Sequence, residues 1–412
     1  MKSSIHFIEG LNETQVNVSP EALKQAKETL GSSSLPTTRD EAWKYTRVAK
    51  INKIGFRNEE ATIQNIDQYL VDPDAHTLVF INGYLSEEHS SNGAIEGVEI
   101  KSLTNSEVAS NLPLTNKVFN AVNTLFLNDG VEITIANKQI VDKTIQIIHV
   151  LSGNEVISNF KTIIKAGDFS QAAIVQGFFA DGECSDSFTN ATTEVEVGVN
   201  TNLTIDKIQA ESEKTYHINS ELVKQDKDST FTINTITLNG MLVRNNLNIE
   251  VNGQNCTSNL YGAYLLKNKQ HIDNHTVVDH KVAHCDSNEL YKGVIDDNST
   301  AVFNGKVFVR QDAQKINAFQ SNGNVLLSDN ASVNSKPELE IYADDVKCSH
   351  GSTTGQLDEE AVFYLRARGI SERSARKLLV AAFIQDVLDN IENEAVLNYI
   401  NGLLEERFDW IS

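Results

Sequence analysis

From about residue 77 to residue 347 the chain is built almost wholly of short strand-like runs, and no long helical pattern separates them. TLVFI, VEITI, TIQIIHV, AAIVQGFF, EVEVGV, STFTINTITL and NLNIEV are rich in Val, Ile, Thr and Phe and are bounded by Asn, Asp, Gly and Ser. Parallel strands ordinarily return through a crossover helix. A chain without crossover helices can still pair its strands in parallel if it coils, each turn stacking short strands on the turn before. Asn-rich corners suit such a coil, because Asn tolerates the left-handed backbone that a tight corner needs. No repeat of fixed period is present, so pattern alone leaves a β-sandwich or jelly roll open.

Helical signals gather at both ends. Ser19-Pro20-Glu21 supplies an N-cap, a proline at the first helical position and an acidic first turn. Leu23, Ala26, Lys27 and Leu30 follow at helical spacing, and Gly31 is expected to stop the run. SSSLPTT then leads into RDEAWKYTRV, and Ile63, Ile66 and Leu70 predict one more short helix before Pro73. After Gly351 the pattern turns helical again. Asp358 caps a first helix with Gly369 just past its end. Ser371 caps a second, striped by Ala375, Leu378, Leu379, Ala382, Phe383 and Val387. Leu397, Ile400, Leu404 and Phe408 mark a third. Helices this short need a surface to pack on, either the β region or another protein. The expected division is 1–76 helical, 77–350 β core and 351–412 helical.

Composition narrows the function. The 412 residues carry a formal charge of −21, which disfavours a polyanion such as nucleic acid. No apolar run approaches the roughly 18–20 residues of a membrane span. MKSSIHFIEGLNETQVN has Lys2 but no apolar h-region, so a cytoplasmic protein is expected. Cys184, Cys256, Cys285 and Cys348 are sparse, as in a reduced compartment. No Walker A sequence, GxSxG elbow or clustered CxxC pair is present.

The segment YADDVKCSHGSTTGQLDEEAVFYLRARGISERSARKLL closely resembles the carboxy-terminal signature of the SufB/SufD family. DNHTVVDHKVAHCDSNELYKGV, AVFNGKVFVRQDAQKINAFQ and NVLLSDNASVNSKPELEIYADD are similar to the same family, in its order. PTTRDEAWKYT and Cys-Ser-His-Gly before Gly355-Gln356-Leu357-Asp358 favour its SufD-type branch. The resemblance implies a right-handed parallel β-helix between helical ends. It also implies a non-catalytic scaffold that assembles iron–sulfur clusters and passes them to acceptor proteins. The implied partners are a SufB-type paralogue and a SufC-type ABC ATPase docked on the carboxy-terminal helices. No cofactor is then expected to be bound permanently; a transient cluster would form at the subunit interface, and ATP would act only through the ATPase.

Cys348 and His350 are the candidate cluster ligands. Residues two apart on a strand share a face and lie about 6.6 Å apart; Cys thiolates are the usual protein ligands of iron–sulfur centres, and His can replace them. The resemblance places this pair at the scaffold interface. A cluster takes about four protein ligands, so two residues predict a shared site. The bland alternative is a buried thiol beside a capping histidine. His271, His275, His280 and His284 beside Cys285 look like a metal box, but His271 and His275 would lie about 13 Å apart on a strand, so a structural role is expected. Ser287-Asn288-Glu289 stands where the family commonly has an arginine after the serine, which puts that arginine's interface role in doubt here. Cys184 and Cys256 read as core residues, and Trp43 and Tyr45 as packing for the amino-terminal segment.

Arg366, Arg368, Arg373, Arg376 and Lys377 give the first two carboxy-terminal helices a basic face. Tyr364, Arg368, Arg373 and Arg376 are the expected ATPase contacts; a solvated helix face or a DNA-reading helix pair would look similar. The competing function from another class is a β-helix polysaccharide lyase or hydrolase, for which Asp296-Asp297 and Asp344-Asp345 would be the carboxylates.

Overall fold

The computed structural model describes residues 5–105 and 116–408, without the side chains of Asn105 and Phe408. Lys2 and the Phe408 side chain therefore lie outside the described part. The β region is a parallel solenoid of about eight turns with two sheets, one of ten strands and one of nine. From Ile157 onward successive strands alternate between the sheets, so each pairs with the strand two before it. Among the described residues, antiparallel pairing of strands is confined to the short Tyr84–Leu85 and Val98–Ser102, at the first coil.

The missing period has a physical cause. Thr230 pairs with Asn202 and with Thr257, steps of 28 and 27 residues, whereas Asp286 pairs with Asn317, a step of 31. Strand pairing is in register and only the corners change length. One corner holds a left-handed residue on seven successive coils: Lys138, Phe169, Asn200, Asp228, Asn255, His284 and Lys315. Asn and Asp supply three of these seven places. Corner side chains also bond along the solenoid axis. Asn137 Oδ1 accepts from the Asp168 backbone N at 2.9 Å, and Asp168 Oδ1 from the Val199 N at 2.9 Å.

Three apolar layers build the core. Inside the coil, Ile145, Ile174, Ile205, Ile233 and Leu260 stack in one column on consecutive turns. The outer face of the ten-stranded sheet is covered from the carboxy-terminal side. Helices α4 (Glu372–Leu388) and α5 (Glu394–Phe408) bury Val380, Ile384, Val387, Ile400 and Leu404 against Ile148, Val175, Ile208 and Val294. The nine-stranded sheet is covered by the amino-terminal segment. There α1 (Pro20–Ser32) and α2 (Lys117–Leu125) join Phe7, Trp43 and Phe56 over Phe188, Tyr216 and Leu242. The carboxy-terminal helices thus find their surface on the β region. Each fully buried Leu, Ile or Val contributes about 1.5–3 kcal/mol, which holds helices of this length in place.

The helix ends follow the caps. Ser19 Oγ accepts from the Ala22 N at 3.3 Å, and Pro20 opens α1. Gly31 lies inside α1, which closes one residue later at Ser32. Asp358 accepts from the Glu360 and Ala361 backbone N atoms ahead of α3 (Glu359–Ala367), and Ser371 caps α4. Gly369, at φ 89°, ends the first of these as expected. The short helix expected over Ile63, Ile66 and Leu70 is instead a single 3₁₀ turn, Asp67–Tyr69. Those apolar residues are drawn down onto the sheet, Tyr69 stacking on Phe179 at 5.4 Å, and that contact replaces helical pairing. The final strand, Val346–Gln356, runs past Gly351, so helix begins at Glu359.

Candidate ligand site at the open end of the solenoid

Strand Val346–Gln356 pairs only with Ile316–Leu326, and its neighbour in the other sheet, Ser332–Ile341, only with Thr300–Val309. Both leave one edge unpaired among the described residues. A row of free backbone N–H and C=O groups is a template for another chain.

Strand alternation fixes which side chains look inward. Ile316, Ala318, Gln320, Asn322 and Asn324 are buried, while Phe319 and Ser321 between them are exposed. Their register partners are Val346, Cys348, His350, Ser352 and Thr354, which therefore share the inner side. Cys348 and His350 stand on the lumen side of the last coil, where no further coil covers them. Cys348 is half-buried against the core and His350 is exposed. Burial raises the Cys348 thiol above its ordinary pKa. A short polar bridge crosses the same mouth: Ser352 Oγ lies 2.8 Å from Ser335 Oγ, which lies 2.7 Å from Asn322 Oδ1. Among the described residues no group of three or more His, Cys, Asp and Glu is placed to hold a metal ion.

Behind His350 the inner column stays polar for two more coils. His350 pairs with Gln320 and Gln320 with Glu289, after which the column becomes Leu260 and Ile233. Gln320 Nε2 donates to Glu289 Oε2 at 2.5 Å, and Thr276 donates to the other carboxylate oxygen. Burial pushes Glu289 up to about 7, although both donors favour its charged form. The sequence placed Glu289 only as a departure from a family pattern, and Gln320 drew no notice. Inward position on a coil is a register property, and nothing local in the sequence announces it.

The histidine run does not converge. His271 Nε2 meets Thr46 Oγ1 at 2.9 Å, and His275 Nε2 meets Asp273 at 3.0 Å, both under the amino-terminal segment. His280 lies on the opposite, inner side with Ser287 Oγ at 3.0 Å, where burial pushes it down to about 4. His284 sits exposed in a corner. Cys285 and Cys256 are buried corner residues: both thiols donate to the Gly253 carbonyl, at 3.4 and 3.0 Å. They continue a ladder in which Ser229 Oγ donates to Asp226 O and Thr201 Oγ1 to Gly167 O. Cys184 is buried as well, and its thiol is pushed up to about 11. Asp296 and Asp297 lie in one corner and Asp344 and Asp345 in another, with Asp345 paired to Lys315. Asp297 lines an open surface pocket beside Glu213, Lys214 and Asn268.

On the carboxy-terminal helices, α3 buries only Val362 and leaves Phe363 and Tyr364 mostly exposed; Leu378 of α4 is exposed beside them. Arg376 is engaged within the chain, 3.0 Å from Glu359 and 3.4 Å from Glu372, and ties α4 to α3. Arg368 donates to Tyr364 Oη at 3.0 Å and lies 5.0 Å above its ring. Arg366 pairs with Glu372 at 3.1 Å.

Residues 149–383, which include Cys348 and His350, match the family described as SUF system FeS cluster assembly, SufBD core domain. Residues 7–147 match the SufBD protein N-terminal region. This chain belongs to the SufBD family. An iron–sulfur cluster assembly SufBD family protein of Synechocystis is 32% identical over 393 residues, covering 89% of this chain and 86% of its own. The iron–sulfur cluster assembly protein SufD of Escherichia coli is 27% identical over 395 residues, covering 94% and 93%. Protein ABCI7, chloroplastic, of Arabidopsis thaliana is 33% identical over 255 residues, covering 60% and 53%. The chain is a SufD homologue of the SUF system for iron–sulfur cluster assembly. No helix among the described residues is long and apolar enough to cross a membrane.

Proposed function

We propose that this SufBD protein is a non-catalytic, cytoplasmic scaffold subunit that supplies one half of a composite site for a nascent iron–sulfur cluster. The cluster is cargo. Cys348 and His350 are the two ligands of this half, and a SufB-type paralogue supplies the others by abutting the last coil. One observation carries the reading: a thiol and an imidazole share the inner side of the last coil, beside two strand edges unpaired among the described residues. Two ligands fall short of the four a cluster takes, and the free edges are where a second β-helix can complete the set.

A SufC-type ABC ATPase docks on the exposed face of α3 and α4 through Phe363, Tyr364, Arg368, Arg373 and Arg376, and its ATP cycle drives assembly and transfer to acceptor proteins. Cys348 and His350 share one face at the uncovered end of the coil, where an abutting partner can bring further ligands to them, and this supports the metal assignment. Co-expression with both partners, followed by iron and sulfide analysis of the eluted complex, tests the reading. His350→Ala is expected to leave the fold and the complex intact and to abolish cluster formation. A His350→Ala complex with normal iron and sulfide content would sink the assignment.

A further inference from the structure

Resting on that reading, we propose that Gln320 is the positioning residue for His350, held in its working orientation by Glu289 and Gly305. Gln320 is 97% buried (3% relative exposure), and its Oε1 has no hydrogen-bond partner. A buried amide oxygen left without a donor is costly, and this one has a reason to be kept. Its Nε2 is committed to Glu289 at 2.5 Å. The amide fork then turns Oε1 away from that carboxylate.

His350 is the register partner of Gln320, one parallel strand away, about 4.8 Å between backbones. Both side chains point into the lumen. An imidazole N–H of His350 donated to Oε1 fixes one ring tautomer and leaves the other nitrogen free, its lone pair turned to the open mouth. A metal-ligating histidine almost always has such an outer partner, and losing it costs about 10–100-fold in metal affinity. With Glu289 ionised, the amide orientation itself is determined. Glu289 can only accept when ionised, and Thr276 occupies its second oxygen. Reversing the amide would set oxygen against oxygen.

Gly305 on the facing sheet completes the cradle. A Cβ there would fall 2.1 Å from Gln320 Nε2, so any other residue at 305 displaces the amide. Three coils thus converge on one acceptor: Glu289 orients it, Gly305 leaves its space, and His350 lies next along the column.

The test compares wild type with Gln320→Met, Gly305→Ala and His350→Ala. The first readout is the tautomer of His350 in the full-length chain labelled with ¹⁵N-histidine, at pH 8, with His350→Ala identifying its signals. The second is iron and sulfide content of the complex after reconstitution with ferrous iron and sulfide. Wild type is expected to show one dominant tautomer. Gln320→Met is expected to show a mixture and to retain about tenfold less iron and sulfide, with an unchanged circular dichroism spectrum. Gly305→Ala moves the amide without removing any polar group and is expected to change both readouts in the same direction. It decides the matter alone if Gln320→Met does not fold. An unchanged tautomer, or an unchanged cluster content, in folded Gln320→Met overturns the inference. Normal content in His350→Ala instead overturns the ligand assignment beneath it, and the tautomer comparison still reads out Gln320.

Discussion

The guanidinium carbon of Arg244 lies 3.8 Å from the centre of the Trp43 ring, and its Nη1 donates to Asp273 at 2.6 Å. Both charged groups are almost wholly buried. Trp43 belongs to the amino-terminal segment and Arg244 to the solenoid, so this stack fastens one to the other. Thr46 donates to Asp273 from the same segment. Burial works against the Asp273 carboxylate, but Arg244 and His275 outweigh it and hold its pKa well below the usual carboxylate range.

Trp43→Ala is expected to destabilise the protein by about 3–5 kcal/mol, the usual cost of truncating a buried Trp. Asp273→Asn should cost a similar amount, because Arg244 would stay buried without its counter-charge. Urea unfolding measures both. Limited proteolysis should then cut between 30 and 60 in the variants before it cuts the solenoid. A variant with wild-type stability would mean that the segment is held from elsewhere.

The corner ladder makes a separate prediction. Hydroxyls at Thr201 and Ser229 and thiols at Cys256 and Cys285 all donate to corner carbonyls, Ser229 and Cys256 on their own turn and Thr201 and Cys285 on the turn before. Serine can serve in either thiol position. The double variant Cys256→Ser, Cys285→Ser is expected to fold and to differ in stability by about 1 kcal/mol. In the native protein a thiol reagent should titrate one cysteine quickly, Cys348, because the other three are buried. Three or four fast thiols would contradict the packing described here.

How much of this the sequence disclosed depends on what each residue answers to. Capping is local, so Ser19, Asp358, Ser371 and Gly369 marked their helix ends correctly. Strand composition is local too, and it pointed to β structure while leaving a coil and a sandwich both open. Ile63 and Ile66 misled, because helical spacing of three apolar residues cannot tell a helix from a loop pinned to a sheet. Cys348 and His350 were picked out by their alternation and by the family resemblance. Gln320 and Glu289 were invisible, since only the 31- and 30-residue steps of the last coils put them in one column with His350. Steps that vary from 26 to 32 leave no period from which such a column could be read.

Glu289 predicts a pH dependence of stability. Burial raises its pKa from 4.5 to about 7 in the folded chain. Between those values the native state binds the extra proton, so stability falls as pH rises from about 4.5 to about 7. Below that window the group is protonated in both states and contributes no difference. Above it the buried charge costs on the order of 3 kcal/mol. Glu289→Gln lacks this titration, and its urea midpoint should gain on wild type between pH 5 and pH 8. Parallel pH curves for the two proteins would rule the buried charge out.

The exposed face of α3 and α4 separates docking from folding. Phe363 is 71% exposed and Leu378 52%, so neither supports the core. Arg376 differs, being committed to Glu359 and Glu372 across the two helices. Phe363→Glu and Leu378→Glu are expected to leave thermal stability within about 0.5 kcal/mol of wild type, as for surface changes generally. On the proposed reading they should nonetheless abolish co-purification with a SufC-type ATPase, since a carboxylate buried in an apolar contact is strongly disfavoured. Arg376→Glu should weaken both properties, because it also sets three carboxylates together between α3 and α4. ATPase recovery at wild-type levels with Phe363→Glu would move the docking surface away from this face, whatever the stability data show.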